Sequence, residues 1–271
     1  MRPRQIHVIH RPASKKADAP DLVFVHGGYM DSRCWDIHFL PHFSALGHDC
    51  HALDLSGHGL SEGKDAPDEF GIDEFADDLR QLIASLPGDA VLIGHSMGCA
   101  VIERVLERST ARAAILMAPV PPSGTQGSIM RLALKHPELF TEIARISQGR
   151  LGPNSLSLMR DVYFSPVTEP EELLEFAHLI QPESERAISE MLMLGIRLHR
   201  ARARLPVLVI GGQCDAVFPP SAIAFTAVRW HAPHKRIPNC GHMLMLEHQW
   251  RTVADAVTHW LASACHRQAN A

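Results

Sequence analysis

The chain alternates two kinds of segment, and that alternation restricts its fold more than any other feature. Short apolar runs rich in β-branched residues, each closed by Gly, Pro or Asp, start at Leu22 (LVFVHGG), Ala90 (AVLIGHS), Ala113 (AAILMAP) and Pro206 (PVLVIGG). HALDLSG from His51 and a short run from His234 to Ile237 read as further strands, and QIHVIHR near the start reads as an edge strand. Between them lie helical patterns. IDEFADDLRQLIASLPG sets Ile72, Phe75, Leu79, Leu82, Ile83 and Leu86 on one face, puts Asp73 and Glu74 in the first turn and stops at Pro87-Gly88. TVADAVTHWLASA does the same with Val253, Val257, Trp260 and Leu261. Strands alternating with helices predict an α/β fold, a mostly parallel sheet covered on both faces.

The alternation lapses from residue 120 to residue 204. SIMRLALKH, ELFTEIARI, ELLEFAHLI and ERAISEMLMLGIRLH are helical patterns separated by Pro- and Gly-containing breaks, with no strand among them. Helices inserted between two strands of one sheet read as a lid. The predicted organisation is a core of residues 1–119 and 205–271 with a helical lid, or cap, of residues 120–204.

With 271 residues and 46% hydrophobic content the chain can bury a large core. A net charge of -4 from 26 basic and 30 acidic side chains, interspersed, supplies no basic field for nucleic acid or an anionic membrane. No stretch reaches roughly 18 consecutive apolar residues, so no stable membrane insertion is expected, and a cytoplasmic location is. Cys34, Cys50, Cys99, Cys214, Cys240 and Cys265 are scattered and read as mostly free thiols. Eighteen histidines occur without an HExxH or paired CxxC, so no metal and no other cofactor is expected.

In an open parallel sheet, ligands bind at the carboxyl ends of the strands, which gives weight to polar residues just past those ends. Ser96 stands in GHSMG, where a sharp strand-to-helix turn strains the serine backbone and needs small neighbours two residues away. The turn leaves the Met97 N–H at a helix amino terminus, facing the space beside the hydroxyl. A serine hydroxyl is a weak nucleophile and requires a base held by a third group. His242, past the last strand, is the expected base, and Asp215, leaving its strand through GGQC, the expected carboxylate; its plainer reading is a turn cap before Pro219-Pro220. His26-Gly27-Gly28-Tyr29 offers a second oxyanion donor. Gly28 is preferred because it has no obstructing side chain, Tyr29 remains the alternative donor or a pocket wall, and Tyr29 and His95 are the expected substrate-binding residues.

Taken together, GHSMG, HGGYMDSRCW, DLSGHGLSEG, GGQCDAVFP and NCGHMLMLE, in the order serine, acid, histidine, resemble the α/β-hydrolase superfamily. GHSMG and GHGLSEG also resemble the corresponding segments of lysophospholipase- and monoacylglycerol-lipase-like members. The resemblance implies an eight-stranded sheet with the lid after strand 6, a Ser96-Asp215-His242 triad, and oxyanion donors from Gly28 and Met97. HGGY replaces the HGGG of one esterase branch, so that branch's oxyanion geometry does not carry over. The implied activity is serine-dependent ester hydrolysis through an acyl-enzyme, on a mono-acyl lipid or other modestly apolar small-molecule ester. Rival readings are a lactonase, thioesterase, carbon–carbon bond hydrolase or haloperoxidase-like enzyme on the same triad, and, in another class, a small-molecule receptor.

In the lid, MLMLGIRL and LALKHPELF supply methionines and leucines, either for an adaptable apolar wall or for packing the lid on the body. Arg197, Arg200, Arg202 and Arg204 suit either an acidic substrate or a helix carboxyl end and solvent. A homo-oligomer is compatible with the sequence.

Overall fold

The computed structural model of the chain describes residues 3–15, 19–192 and 205–268, the last four by backbone alone. Arg197, Arg200, Arg202, Arg204, most of MLMLGIRL and the Cys265 side chain lie outside the described residues. The strands are β1 (Val8–Arg11), β2 (Leu22–Val25), β3 (Cys50–Leu53), β4 (Val91–His95), β5 (Ala113–Met117), β6 (Val207–Gly212) and β7 (His234–Ile237). They form one sheet in the order β1-β3-β2-β4-β5-β6-β7; β1 runs antiparallel to β3 and every other pairing is parallel.

The sheet therefore has seven strands among the described residues, not eight. Each run read from the sequence became a strand. The eighth rested on family resemblance, and the stretch from Pro12 to Pro20 that separates β1 from β2 offers no apolar alternation, while its two prolines lack the N–H a ladder needs. For the same reason the helical insertion follows β5 rather than a sixth strand.

The period-2 geometry of the strands sorts the core into two layers. Leu22 and Phe24 of β2 point toward α1 (Arg33–Asp36), α2 (Phe39–Ala45) and α11 (Trp250–Gln268), where Trp35, Phe39, Phe43, Val257 and Leu261 bury one face. Val23 and Val25 point the other way, toward Phe75 and Leu79 of α3 (Ile72–Ser85), Val101 and Val105 of α4 (Met97–Leu106), and Ile223 of α10 (Pro220–Arg229). Each such side chain contributes about 1.5–3 kcal/mol by leaving water, and together they hold the strand ends in one rigid rim.

Between β5 and β6 come α5 (Gln126–Lys135), α6 (Leu139–Ile146), α7 (Ser155–Tyr163), α8 (Pro170–Leu179) and α9 (Glu185–Leu192). Leu132, Leu139, Ile143, Leu158 and Val162 give these helices a small apolar cluster of their own. Among the described residues no helix is long and apolar enough to cross a membrane.

Candidate active site

β4 is the central strand, with β2 and β5 as its neighbours, so whatever follows His95 emerges in the middle of the rim. Ser96 follows with φ 51° and ψ −115°, a conformation that costs a non-glycine residue about 1–3 kcal/mol and needs its surroundings to enforce it. Its N–H donates to the Met117 carbonyl on β5 at 2.9 Å, and α4 begins at the next residue. The two glycines serve close approach. A Cβ on Gly94 would lie 2.8 Å from the Gly98 backbone, and one on Gly98 would lie 2.6 Å from the His26 carbonyl oxygen and closer still to that of Val25.

Asp215 follows β6 and His242 follows β7, and both turn toward Ser96. Asp215 Oδ2 lies 2.9 Å from His242 Nδ1, and His242 Nε2 lies 3.1 Å from Ser96 Oγ. A carboxylate only accepts, so Nδ1 carries the imidazole proton and Nε2 is left as the acceptor that the serine hydroxyl faces. The other Asp215 oxygen accepts the Phe218 N–H at 2.8 Å, which fixes the carboxylate plane. The acid and imidazole side chains are almost entirely buried.

Met97 follows Ser96 at the start of α4 and Gly28 lines the same cavity, and among the described residues neither N–H meets an acceptor. The Tyr29 N–H is occupied: it donates to Glu183 Oε2 at 2.9 Å. Of the two alternatives for the second donor, the free N–H is that of Gly28. His95 is wholly buried, and its Nε2 donates to the His242 carbonyl at 3.0 Å, propping the histidine turn from below. Burial, with His242 and His26 nearby, holds its pKa well below that of an ordinary histidine, so the ring stays neutral.

A cavity of about 990 Å³, counting its open mouth, lies over Ser96 and His242. Tyr29, Val120, Phe218 and Met243 line it together with Leu132, Phe140, Ile143, Phe176 and Met191 of the inserted helices. Among the described residues no Asp, Glu, Lys or Arg lines it. Burial, reinforced by Glu183, pushes the Tyr29 phenol up to about 12, and burial also raises that of Tyr163, so both line the cavity as neutral groups. LALKHPELF divides accordingly: Leu132, Leu139 and Phe140 line the cavity while Leu134 faces solvent.

Three loops that carry site residues are tied to the inserted helices. Arg131 of α5 donates to the Ala216 and Val217 carbonyls beside Asp215 at 2.8 and 2.9 Å. The Tyr163 carbonyl at the end of α7 accepts the His242 and Met243 N–H groups at 2.8 and 3.0 Å. Glu247 bridges the Gly241 N–H at 2.7 Å and the Ser165 N–H at 2.5 Å. Gln181 and Glu183, between α8 and α9, hold the Tyr29 carbonyl and N–H. Glu183 also faces His58 at 3.1 Å inside the DLSGHGLSEG segment.

The sequence alone does not assign these supporting roles. DLSGHGLSEG is a motif in which nothing singles out His58. A signal for Glu247 did exist, a lone acid closing the apolar run MLML beside His242. QPESERA around Glu183 reads as an ordinary polar helix start, and nothing in it marks a buried carboxylate.

A sequence model of the alpha/beta hydrolase family matches residues 22–256. The chain belongs to that family. It is 26% identical over 265 residues to the pimeloyl-[acyl-carrier protein] methyl ester esterase of Nitrosospira multiformis, covering 89% of this chain and 94% of that protein. Among solved structures it resembles a thermophilic esterase from Thermogutta terrifontis, with a TM-score of 0.71, 20% identity and coverage of 96% and 94% of the two chains. A monoacylglycerol lipase from Paleococcus ferrophilus matches with a TM-score of 0.71, 19% identity and coverage of 96% and 99%.

Proposed function

We propose that the protein hydrolyses carboxylic esters through an acyl-enzyme on Ser96. The observation that carries this reading is the continuous hydrogen-bonded chain Asp215–His242–Ser96 opening into an apolar cavity beside two free N–H groups. As Ser96 Oγ attacks the ester carbonyl, its proton passes to His242 Nε2, and the carbonyl π pair moves onto oxygen, where the Gly28 and Met97 N–H groups receive it. Asp215 stabilises the imidazolium. Collapse of the tetrahedral adduct expels the alcohol, which takes its proton from Nε2. Water, deprotonated by the same nitrogen, then attacks the acyl carbon, releases the acid and returns the proton to Ser96.

The lining, apolar and free of charged side chains among the described residues, favours an uncharged acyl chain, as in a mono-acyl lipid or other modestly apolar ester. The Nitrosospira relative is named for the hydrolysis of a methyl ester, and the same bond type is assigned here. The inserted helices serve as a cap that roofs the acyl site. The test is hydrolysis of p-nitrophenyl butyrate. Ser96→Ala, folded, loses turnover by several orders of magnitude. Retained hydrolysis by that variant overturns the proposal, and slow single-turnover labelling of the wild type with no steady state favours a receptor.

A further inference from the structure

Glu183 has no accessible side-chain surface, yet it belongs neither to the triad nor to the cavity wall. Its Oε1 accepts from His58 Nε2 at 3.1 Å and from the Ser184 N–H at 2.8 Å, and its Oε2 accepts the Tyr29 N–H at 2.9 Å. His58 faces the Ser56 carbonyl with its other nitrogen at 3.1 Å, so both ring nitrogens meet acceptors and the ring is satisfied only when both are protonated. Burial alone opposes charge on either group. The His58 pKa is nevertheless raised and that of Glu183 lowered, because each supplies the other's countercharge and hydrogen bond. A buried ion pair of this kind is costly to desolvate and is weak evidence for a gain in stability.

The pair grips the residue next to the oxyanion donor. Tyr29 has φ 62°, a conformation a bulky side chain holds only under constraint. Glu183 takes its N–H, and the Gln181 N–H meets its carbonyl at 2.9 Å. Gly28 sits against the same carboxylate, since a Cβ added there would lie 3.2 Å from Oε2. We infer that Glu183, held by His58, is a positioning residue for oxyanion stabilisation: it consumes the Tyr29 N–H, anchors the Gly28–Tyr29 peptide on one side of the Gly28 Cα and packs against that Cα, and so restrains the preceding Gly27–Gly28 peptide, whose N–H is the one aimed at the developing charge. This rests on the serine-hydrolase reading above.

The experiment compares Glu183→Ala, Glu183→Asp and Glu183→Gln with wild type, using p-nitrophenyl butyrate and an alkyl trifluoromethyl ketone whose Ser96 hemiketal places an oxyanion between the two donors. Alanine removes the acceptor. Aspartate keeps the charge against His58 but withdraws the oxygen from Tyr29 by one methylene, and it carries the test if the alanine variant does not fold. Glutamine keeps an acceptor for Tyr29. Alanine and aspartate are expected to lower kcat about 10- to 100-fold with KM within threefold, below the cost of deleting a donor outright. The ketone Ki should rise by a similar factor, and glutamine should recover kcat to within about threefold of wild type. Wild-type kcat and ketone affinity in the folded alanine and aspartate variants, or lost kcat with unchanged ketone affinity, overturn the inference. Failure of the underlying reading looks different, because wild type itself would then form no Ser96 hemiketal.

Discussion

Gly98→Ala and Gly127→Ala form a matched pair that tests how closely α4 must approach the sheet for the serine turn to exist. Both glycines occupy the second position of their helices, α4 and α5. Intrinsic helix propensity favours alanine at either site by up to about 1 kcal/mol. At Gly127 a Cβ meets nothing within 4 Å, so the propensity gain stands alone. At Gly98 the Cβ runs into the Val25 and His26 carbonyls, which are backbone groups of β2 and the loop that follows it and cannot swing aside. Overpacking of this kind costs about 1–3 kcal/mol or more, so the clash wins and Gly98→Ala is destabilised by about 2 kcal/mol. At about 2.1 cal/mol/K of unfolding entropy per residue, that corresponds to a fall in Tm of about 3–5 °C, against a rise of about 1–2 °C for Gly127→Ala. The two variants also separate in turnover. Relief of the clash moves the start of α4, which carries the Met97 N–H, and a displacement approaching 1 Å costs up to about 100-fold in rate. Thermal melts and p-nitrophenyl butyrate hydrolysis at 25 °C read both effects. A Gly98→Ala protein that melts at or above wild type with full activity refutes the geometry of the turn.

Asp215→Asn keeps shape and removes the charge, leaving the imidazole without its orienting partner; kcat should fall by about 10⁴ while Tm stays near wild type, checked by steady-state kinetics and a melt. The buried His95 is held neutral, so below about pH 6.5 the unfolded chain binds a proton that the folded one refuses, and stability falls as pH drops. Since His26 is lowered as well, His95→Gln should flatten that slope in part, by at most about 1.4 kcal/mol per pH unit; denaturant melts from pH 5 to 8 check this, and an unchanged slope contradicts it. Across p-nitrophenyl esters of increasing acyl length, each methylene that reaches the apolar wall should raise kcat/KM about fourfold, from about 0.8 kcal/mol per buried CH₂, and Ile143→Glu should erase the trend.

The centre of the sheet was legible because β2, β4, β5 and β6 are buried along their whole length and fall within the apolar runs that suggested them. Ser96, Asp215 and His242 were legible for a related reason: position past a strand end restricts a side chain to the rim, and only a few polar residues occupy it. α7 and α10 were not anticipated, although Pro220 at the first position of α10 is a start signal. The eighth strand came from analogy, and this chain has no run to build it. The least legible part was the polar scaffold. Glu183 meets His58 across 125 residues and Glu247 meets Ser165 across 82, and a pairing over such separations leaves no periodic trace in either segment.

The central claim, that residue 96 becomes acylated by way of residue 242, is tested most directly by intact-mass and peptide-mapping spectrometry after rapid acid quench with a slowly deacylating aryl ester. The account predicts one acyl group per chain on the peptide carrying Ser96, formed in a burst and absent from both Ser96→Ala and His242→Ala. Steady hydrolysis with no covalent mass on that peptide, or an adduct on another residue that survives Ser96→Ala, would contradict it.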